Sequence, residues 1–179
     1  MKKIFSAIMI AAAAMLGATS CSTETNESAG GTAVQDMAGK WDVVIDIIEV
    51  GENGDSTHYG DYYGFGTLSF FTYNTNDNRS DSLYVDDLAQ LLKVSTQLWA
   101  VKAKVGCDLS NFTISGTADN LYASEDAPET CKVTGRIIPD AATSLHGKPN
   151  DSICVDVEFD WDPGWIYRYA GQRYTGFYE

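Results

Sequence analysis

Two stretches of the chain alternate between apolar and polar residues strictly enough to fix which way they face. In Gly39–Val50, the residues Trp41, Val43, Ile45 and Ile47 fall on one side, and Asp42 and Asp46 on the other. In Ser152–Trp161, the set Ile153, Val155, Val157, Phe159 and Trp161 alternates with Cys154, Asp156, Glu158 and Asp160. A period of two marks a β-strand with one face in a core. Weaker versions of the pattern follow at Asp81–Asp86, at Trp99–Val105 (Trp99, Val101, Ala103 and Val105 inward) and at Asn111–Gly116 (Phe112 and Ile114 inward). They recur at Thr130–Ile138 and at Trp165–Phe177, where Trp165, Tyr167, Tyr169, Arg173 and Phe177 share a side. Between the first strand and Asp81 lies an aromatic region, His58–Thr75, which reads as one long strand bent at Gly60, Gly64 and Gly66.

Turn clusters separate these segments: Gly51–Ser56, Thr75–Ser80, Asp108–Asn111, Asp162–Gly164 and the longer polar loops Thr117–Glu129 and Pro139–Asn150. Only Asp87–Leu92 has helical spacing, enough for one or two turns. The prediction is an all-β chain of about eight strands in up-and-down order, closed into an antiparallel barrel because an open meander would leave exposed edges. A barrel of that size is either filled by its own side chains or holds one small ligand. In an antiparallel closure the end of the last strand lies beside the start of the first, which brings Arg173 to Trp41.

The opening Gly39-Lys40-Trp41 resembles the signature that begins the first strand of lipocalins. That resemblance implies a Trp41 that plugs the closed end of the barrel, with Arg173 lying across it.

The residues before the first strand change the picture from a free domain to a tethered one. Met1-Lys2-Lys3 and the apolar run Ile4–Leu16 have the charge and length of a secretory signal, too short to span a bilayer. The run ends in Leu16-Gly17-Ala18-Thr19-Ser20-Cys21, which resembles a bacterial lipobox, with Ala18 where Leu is usual. It implies cleavage after residue 20 and lipid attachment at Cys21; the alternative is a plain secreted protein that retains this cysteine. Ser22 after the cysteine points to the outer membrane of the cell envelope. Ser22–Gln35 has almost nothing to bury and reads as a flexible leash, so residues 1–20 are signal, 21–35 leash and 36–179 barrel domain.

Charge excludes two partner classes. The formal net charge of −13 becomes −15 once Lys2 and Lys3 leave with the signal. Nucleic acid and anionic membrane surfaces are repelled, so contact with a membrane is through the lipid anchor only. An exported protein folds in an oxidising compartment. Cys107, Cys131 and Cys154 are odd in number, so at least one thiol stays unpaired; one disulfide or three buried thiols are both open.

Candidate chemistry is sparse. No Gly-x-Ser-x-Gly elbow occurs, and the two histidines, His58 and His146, sit in turn or loop sequence; Ser56 beside His58 implies no acid–base partner. No catalytic residue is assigned. No Cys or His pair stands at metal-ligand spacing, and the Asp86-Asp87 and Asp160-x-Asp162 pairs read as acidic turns rather than calcium loops, so neither a metal nor a cofactor is expected. Asp55-Ser56-Thr57, Asp81-Ser82-Leu83 and Asp151-Ser152-Ile153 resemble O-glycosylation acceptors, a pattern short enough to arise by chance. The aromatic set carries more: Trp99, Phe112, Phe159, Trp161, Trp165, Tyr167 and Tyr169 all fall on inward faces and are the candidate ligand-binding residues. No charged residue is expected beside Trp161 and Trp165.

The order of these features, with Phe70-Phe71-Thr72-Tyr73-Asn74-Thr75, Ser82-Leu83-Tyr84-Val85-Asp86-Asp87 and a final Arg173-Tyr174-Thr175-Gly176-Phe177, resembles the small lipocalin-like lipoproteins of Bacteroidetes described as lipid-binding putative hydrolases. The resemblance implies a barrel on a lipid anchor with an apolar or amphipathic, lipid-like ligand. Two function classes remain: a binding module for such a small apolar ligand, or a solid barrel that grips an envelope protein partner. Hydrolysis, the activity in the family description, comes third.

Overall fold

The computed structural model describes residues 30–90, 99–144 and 146–176. The barrel occupies the unit that begins at Thr32. Nine strands form one sheet: β1 (Gly39–Val50), β2 (Ser56–His58), β3 (Leu68–Asn74), β4 (Ser82–Asp86), β5 (Lys102–Asp108), β6 (Thr113–Asp119), β7 (Thr130–Thr143), β8 (Pro149–Phe159) and β9 (Trp165–Arg173). Strands β3 to β9 follow one another around the sheet, and β9 pairs back onto β1 in antiparallel register from Trp41↔Arg173 to Glu49↔Trp165. The other edge of β1 is shared: its first residues pair with β3, from Gly39↔Thr72 to Val43↔Leu68, and its last three with β2. The result is a closed eight-stranded barrel with β2 as a short extra strand.

The expected inward residues of β1 are buried, as are Ile153, Val155, Val157 and Phe159 of β8 and Tyr167 and Tyr169 of β9. Phe70, Leu83, Val85, Ala103, Val105, Ile114 and Val133 complete the same core. One side of Gly171 leaves no room for a side chain, since a Cβ there would collide with the backbone carbonyl of Asp42 on the neighbouring strand. At this point β9 crosses β1 backbone against backbone, a close approach that glycine alone permits.

One end of the barrel is sealed. A 3-10 turn, Gln35–Met37, precedes β1, and Val34 and Met37 are fully buried; the first lies inside the segment read as leash. Trp41 is buried, and its indole Nε1 donates to Thr72 Oγ1 at 2.9 Å, whose hydroxyl donates to the Met37 carbonyl at 2.5 Å. The Arg173 guanidinium lies 4.4 Å from the Trp41 ring centroid. It donates to the carbonyls of Ala38 (2.6 Å) and Asp36 (3.2 Å) and to the Asp151 carboxylate (3.0 Å). A Cβ on Gly39 would meet Arg173 Nη1, so the glycine of the Gly-x-Trp opening is the floor on which the arginine rests.

Several boundaries differ from expectation, each for a local reason. The region His58–Thr75 is not one strand: β2 ends at His58, β3 begins at Leu68, and the glycine-spaced stretch between them is an excursion. Strand β7 runs on through Pro139 to Thr143, with a register shift between Ile138 and Ala142 and a left-handed Asp140 (φ 53°). A bulge is where a proline can sit in a ladder, so the Pro139–Asn150 loop shrinks to a short turn before β8. Likewise β6 continues to Asp119, which shortens the loop expected over Thr117–Glu129. The helical turns expected at Asp87–Leu92 are replaced, over the described part, by a tight turn in which Leu88 and Ala89 are both left-handed (φ 55°); Leu91 and Leu92 lie outside the described residues, as do Cys21 and Phe177. Cys107, Cys131 and Cys154 are all free thiols. Burial pushes the Cys131 thiol up to about 12, which keeps it protonated and inert.

Removal of the plug should test which contact closes the barrel. Trp41→Ala is expected to cost ~3–5 kcal/mol, the range for a truncated core aromatic. Arg173→Lys keeps a charge but loses the planar fork and should cost about 1–2 kcal/mol. Gly39→Ala, which displaces the guanidinium, should resemble Arg173→Lys in a urea titration. A neutral Gly39→Ala would show that the arginine does not depend on that floor.

Candidate functional site

The end opposite Trp41 gathers the connections 51–67, 120–129 and 160–164, with residues 87–90 and 99–101. Most of the exposed large apolar residues of the described chain are here: Tyr59, Tyr62, Tyr63, Leu88, Leu121, Trp161 and Val50. The excursion after β2 is fixed in place rather than loose. The Tyr59 N–H donates to the Ile47 carbonyl at 2.9 Å, and the Ile47 N–H to the Gly60 carbonyl at 3.1 Å. Next in the chain, the Asp61 carboxylate accepts the N–H groups of Phe65 (2.8 Å) and Gly66 (2.7 Å), and these bonds hold its pKa below the ordinary carboxylate value. The glycines at 60, 64 and 66 are left-handed, as such a compact turn requires.

This fold of the loop stands three tyrosines over the rim. Tyr59 stacks on Trp165 (centroids 5.6 Å apart, planes at 30°), Tyr62 meets Tyr59 edge-on at 84°, and Tyr63 meets Tyr62 at 87°. Together with Ile47 these four rings line a pocket of about 250 Å³. Tyr63 also contacts Phe65, whose ring is half-buried against the core. The Tyr59 hydroxyl donates to Glu49 at 2.7 Å, and Glu49 is the residue opposite Trp165 in the β1–β9 ladder.

Below the rim lies a second aromatic layer. Trp99 stacks on Tyr167 at 5.6 Å and touches Phe159 and the edge of Trp161; Phe159 and Tyr167 meet edge-to-face at 5.4 Å. The Tyr167 hydroxyl donates to Asp162 at 2.7 Å, a contact that together with burial raises its pKa. Deeper still, Tyr169 packs on Phe70 and donates to the Asp87 carboxylate at 3.0 Å. Asp87 is 1% exposed and also accepts the Ala89 N–H at 2.9 Å. Burial pushes its pKa up to about 7, against the bonds from Tyr169 and the backbone. The neighbour Asp86 fares differently on the outer face. Burial opposes its charge too, but bonds from Tyr122, the Leu88 N–H, Lys102 and Tyr73 outweigh it and hold its pKa low.

Of the residues singled out in the sequence, Trp99, Phe159, Trp161 and Tyr167 come together in one layer. Trp165 lies at the rim against Tyr59, and Tyr169 belongs to the deep core. Phe112 does not join them: it sits in the β5–β6 turn at the sealed end, left-handed (φ 54°), because the turn lasts one residue longer than the strand alternation suggests. Trp41 and Arg173 are at that same sealed end. An acid also reaches inward unannounced by any alternation: Asp87, just past the end of β4, accepts from Tyr169. Tyr59, Tyr62 and Tyr63 were not picked out; their signal was the glycine-aromatic spacing Tyr59-Gly60-Asp61-Tyr62-Tyr63-Gly64-Phe65-Gly66, which marks an ordered aromatic loop.

His58 Nδ1 lies 2.6 Å from Asp46 Oδ2 on the outer wall, but no described serine, threonine or cysteine hydrogen-bonds to this histidine. Among the described residues no group of three His, Cys, Asp or Glu side chains is placed to hold a metal ion, and no helix is long and apolar enough to cross a membrane.

The described chain is thus a small antiparallel barrel, sealed at one end and carrying an aromatic pocket at the other. The chain matches the family described as lipid-binding putative hydrolase over residues 26–178, and it belongs to that family. No curated protein matches it.

The buried acid gives a pH test. The unfolded chain titrates Asp87 near 4 and the folded barrel near 7. The folded state therefore holds the proton more tightly, and this contribution to stability, full below about pH 4, is lost as pH rises through about 7. Relative to Asp87→Asn, which does not titrate, the native barrel should lose stability across that window by at most about 4 kcal/mol, at ~1.4 kcal/mol per unit. Paired denaturant midpoints at the two ends of the range measure it; a difference that does not change with pH would refute the buried acid.

Proposed function

We propose that the protein is an exported lipoprotein, tethered to the cell envelope through lipid on Cys21, that binds one end of a lipid-like amphiphile at the aromatic mouth of its barrel. The observation that carries this reading is the pocket formed by Ile47, Tyr59, Tyr62, Tyr63 and Trp165, all of which offer ring or aliphatic surface. Its volume, about 250 Å³, is below the ~300–1,000 Å³ usual for sites that enclose a whole small molecule. It suits part of a ligand, with the remainder lying along the rim residues Trp161, Leu88 and Leu121. Membership of a lipid-binding family supports the same class of ligand.

Titration of the delipidated protein with a fluorescent acyl probe tests the reading. Saturable binding is expected, and Trp165→Ala or Tyr63→Ala should weaken it by about tenfold, the loss typical of an aromatic anchor. Absence of saturation would overturn it. The tether is tested separately: Cys21→Ser should move the protein from the membrane fraction to the soluble one, and a variant that stays in the membranes would disprove lipid attachment at that residue.

A further inference from the structure

The rim pocket differs from a greasy slot in two respects. Its walls are four aromatic rings, Tyr59 stacked on Trp165 while Tyr62 stands edge-on to Tyr59 and Tyr63 edge-on to Tyr62, so that ring faces and edges converge on a small volume. Its surroundings are acidic: the Glu49 carboxylate holds the Tyr59 hydroxyl at 2.7 Å, and Asp61 lies in the turn between Tyr59 and Tyr62. No residue that lines the pocket is basic. Ring faces are electron-rich and attract a cation within about 6 Å, most strongly when several rings surround it. A carboxylate bonded to one of these rings, as Glu49 is to Tyr59, deepens that potential and repels an anionic group.

We infer that this pocket is an aromatic cage for an alkylammonium cation, of the kind that ends a zwitterionic lipid head group. The inference rests on the proposed binding of an amphiphile at the mouth and adds which end of it enters. Charge and size agree: a trimethylammonium group is compact, apolar on its surface and positive, so it can shed its loosely held water into a pocket of this size. A fatty-acid carboxylate or a bare phosphate would meet the Glu49 charge at Tyr59 and no basic residue in the lining. The phosphate of a zwitterionic head group would remain outside, in solvent.

Calorimetric titration with choline, with dodecylphosphocholine and with 3,3-dimethylbutan-1-ol, the uncharged carbon analogue of choline, tests the cage. Choline should bind at least about fivefold more tightly than the neutral analogue, as a cation–π contribution requires. Tyr62→Leu and Tyr63→Leu should each weaken choline by about fivefold; both residues are exposed, at 68% and 50%, so neither change threatens the fold. Glu49→Gln should weaken choline and leave the neutral analogue unchanged. Tighter binding of dodecylphosphocholine than of choline supports a lipid head group as the occupant, and equal binding supports a free amine in the same cage. Equal affinity for choline and its neutral analogue, or tyrosine variants with unaltered choline binding, would overturn the cage. The acyl probe is measured alongside: saturable probe binding without choline binding removes the cage alone, whereas loss of both removes the amphiphile reading with it.

Discussion

The contact between Arg173, Trp41 and Gly39 decides that this sheet is a barrel and that the barrel has a bottom. A nine-pair ladder between the first and last strands must be started somewhere, and the start is costly because the two segments are far apart in sequence. Arg173 offsets that cost at one point: its guanidinium lies on the indole and reaches two carbonyls before the first strand and one carboxylate on β8. It fastens the last strand to the chain entry and to its other neighbour at once. Substitution of glycine at 39 by anything larger would lift the arginine off this seat. With that end closed by Trp41, Met37 and Val34, the opposite end carries most of the exposed rings of the described residues and the aromatic pocket.

The same alternation that builds the strands places adjacent acids in different media. Asp86 and Asp87 are neighbours in sequence, yet one points out of β4 and the other, just past its end, points in. The outward one meets Lys102 and two tyrosine hydroxyls, so burial is outweighed and the charge is kept. Across the barrel wall, Asp87 has one tyrosine hydroxyl and backbone N–H groups but, among the described residues, no cation, so burial wins and the proton is held to near neutrality. Asp86 also ties the 120–129 loop to β4 through Tyr122, and Asp87 ties β4 to β9 through Tyr169. Two consecutive residues thus brace the open end from outside and from within.

What could be read from the sequence follows from how local each cause is. The strict alternators, β1 and β8, were legible because a half-buried strand imposes its period on every residue. Pairing of Arg173 with Trp41 was legible through topology, since antiparallel closure leaves few choices. The excursion 59–67 was not, because aromatic residues suit a strand as well as a loop, and only the Asp61 carboxylate bonds to Phe65 and Gly66 decide between them. Phe112 keeps its contact with the core, but the β5–β6 turn that holds it lies at the sealed end, which local alternation does not report. Asp87 was hidden for a different reason: its surroundings come from Tyr169, 82 positions away, and no local pattern reports that.

The pocket's rings also bear on how binding could be efficient at so exposed a site. A loop that ordered only around its ligand would pay for that order out of the binding energy. Here the order precedes the ligand. Tyr59 and Gly60 are hydrogen-bonded to β1, Asp61 closes the turn on Phe65 and Gly66, and Phe65 is seated against the core. Tyr59 is fixed at both ends, by its stacking on Trp165 and by its hydroxyl on Glu49. The exposed tyrosines 62 and 63 are then held by edge contacts to rings already in place. Such preorganisation lets a small pocket retain most of the contact energy it gains, and it traces back to β1, whose carboxyl-terminal half supplies Ile47, Glu49 and the backbone groups on which the loop is hung.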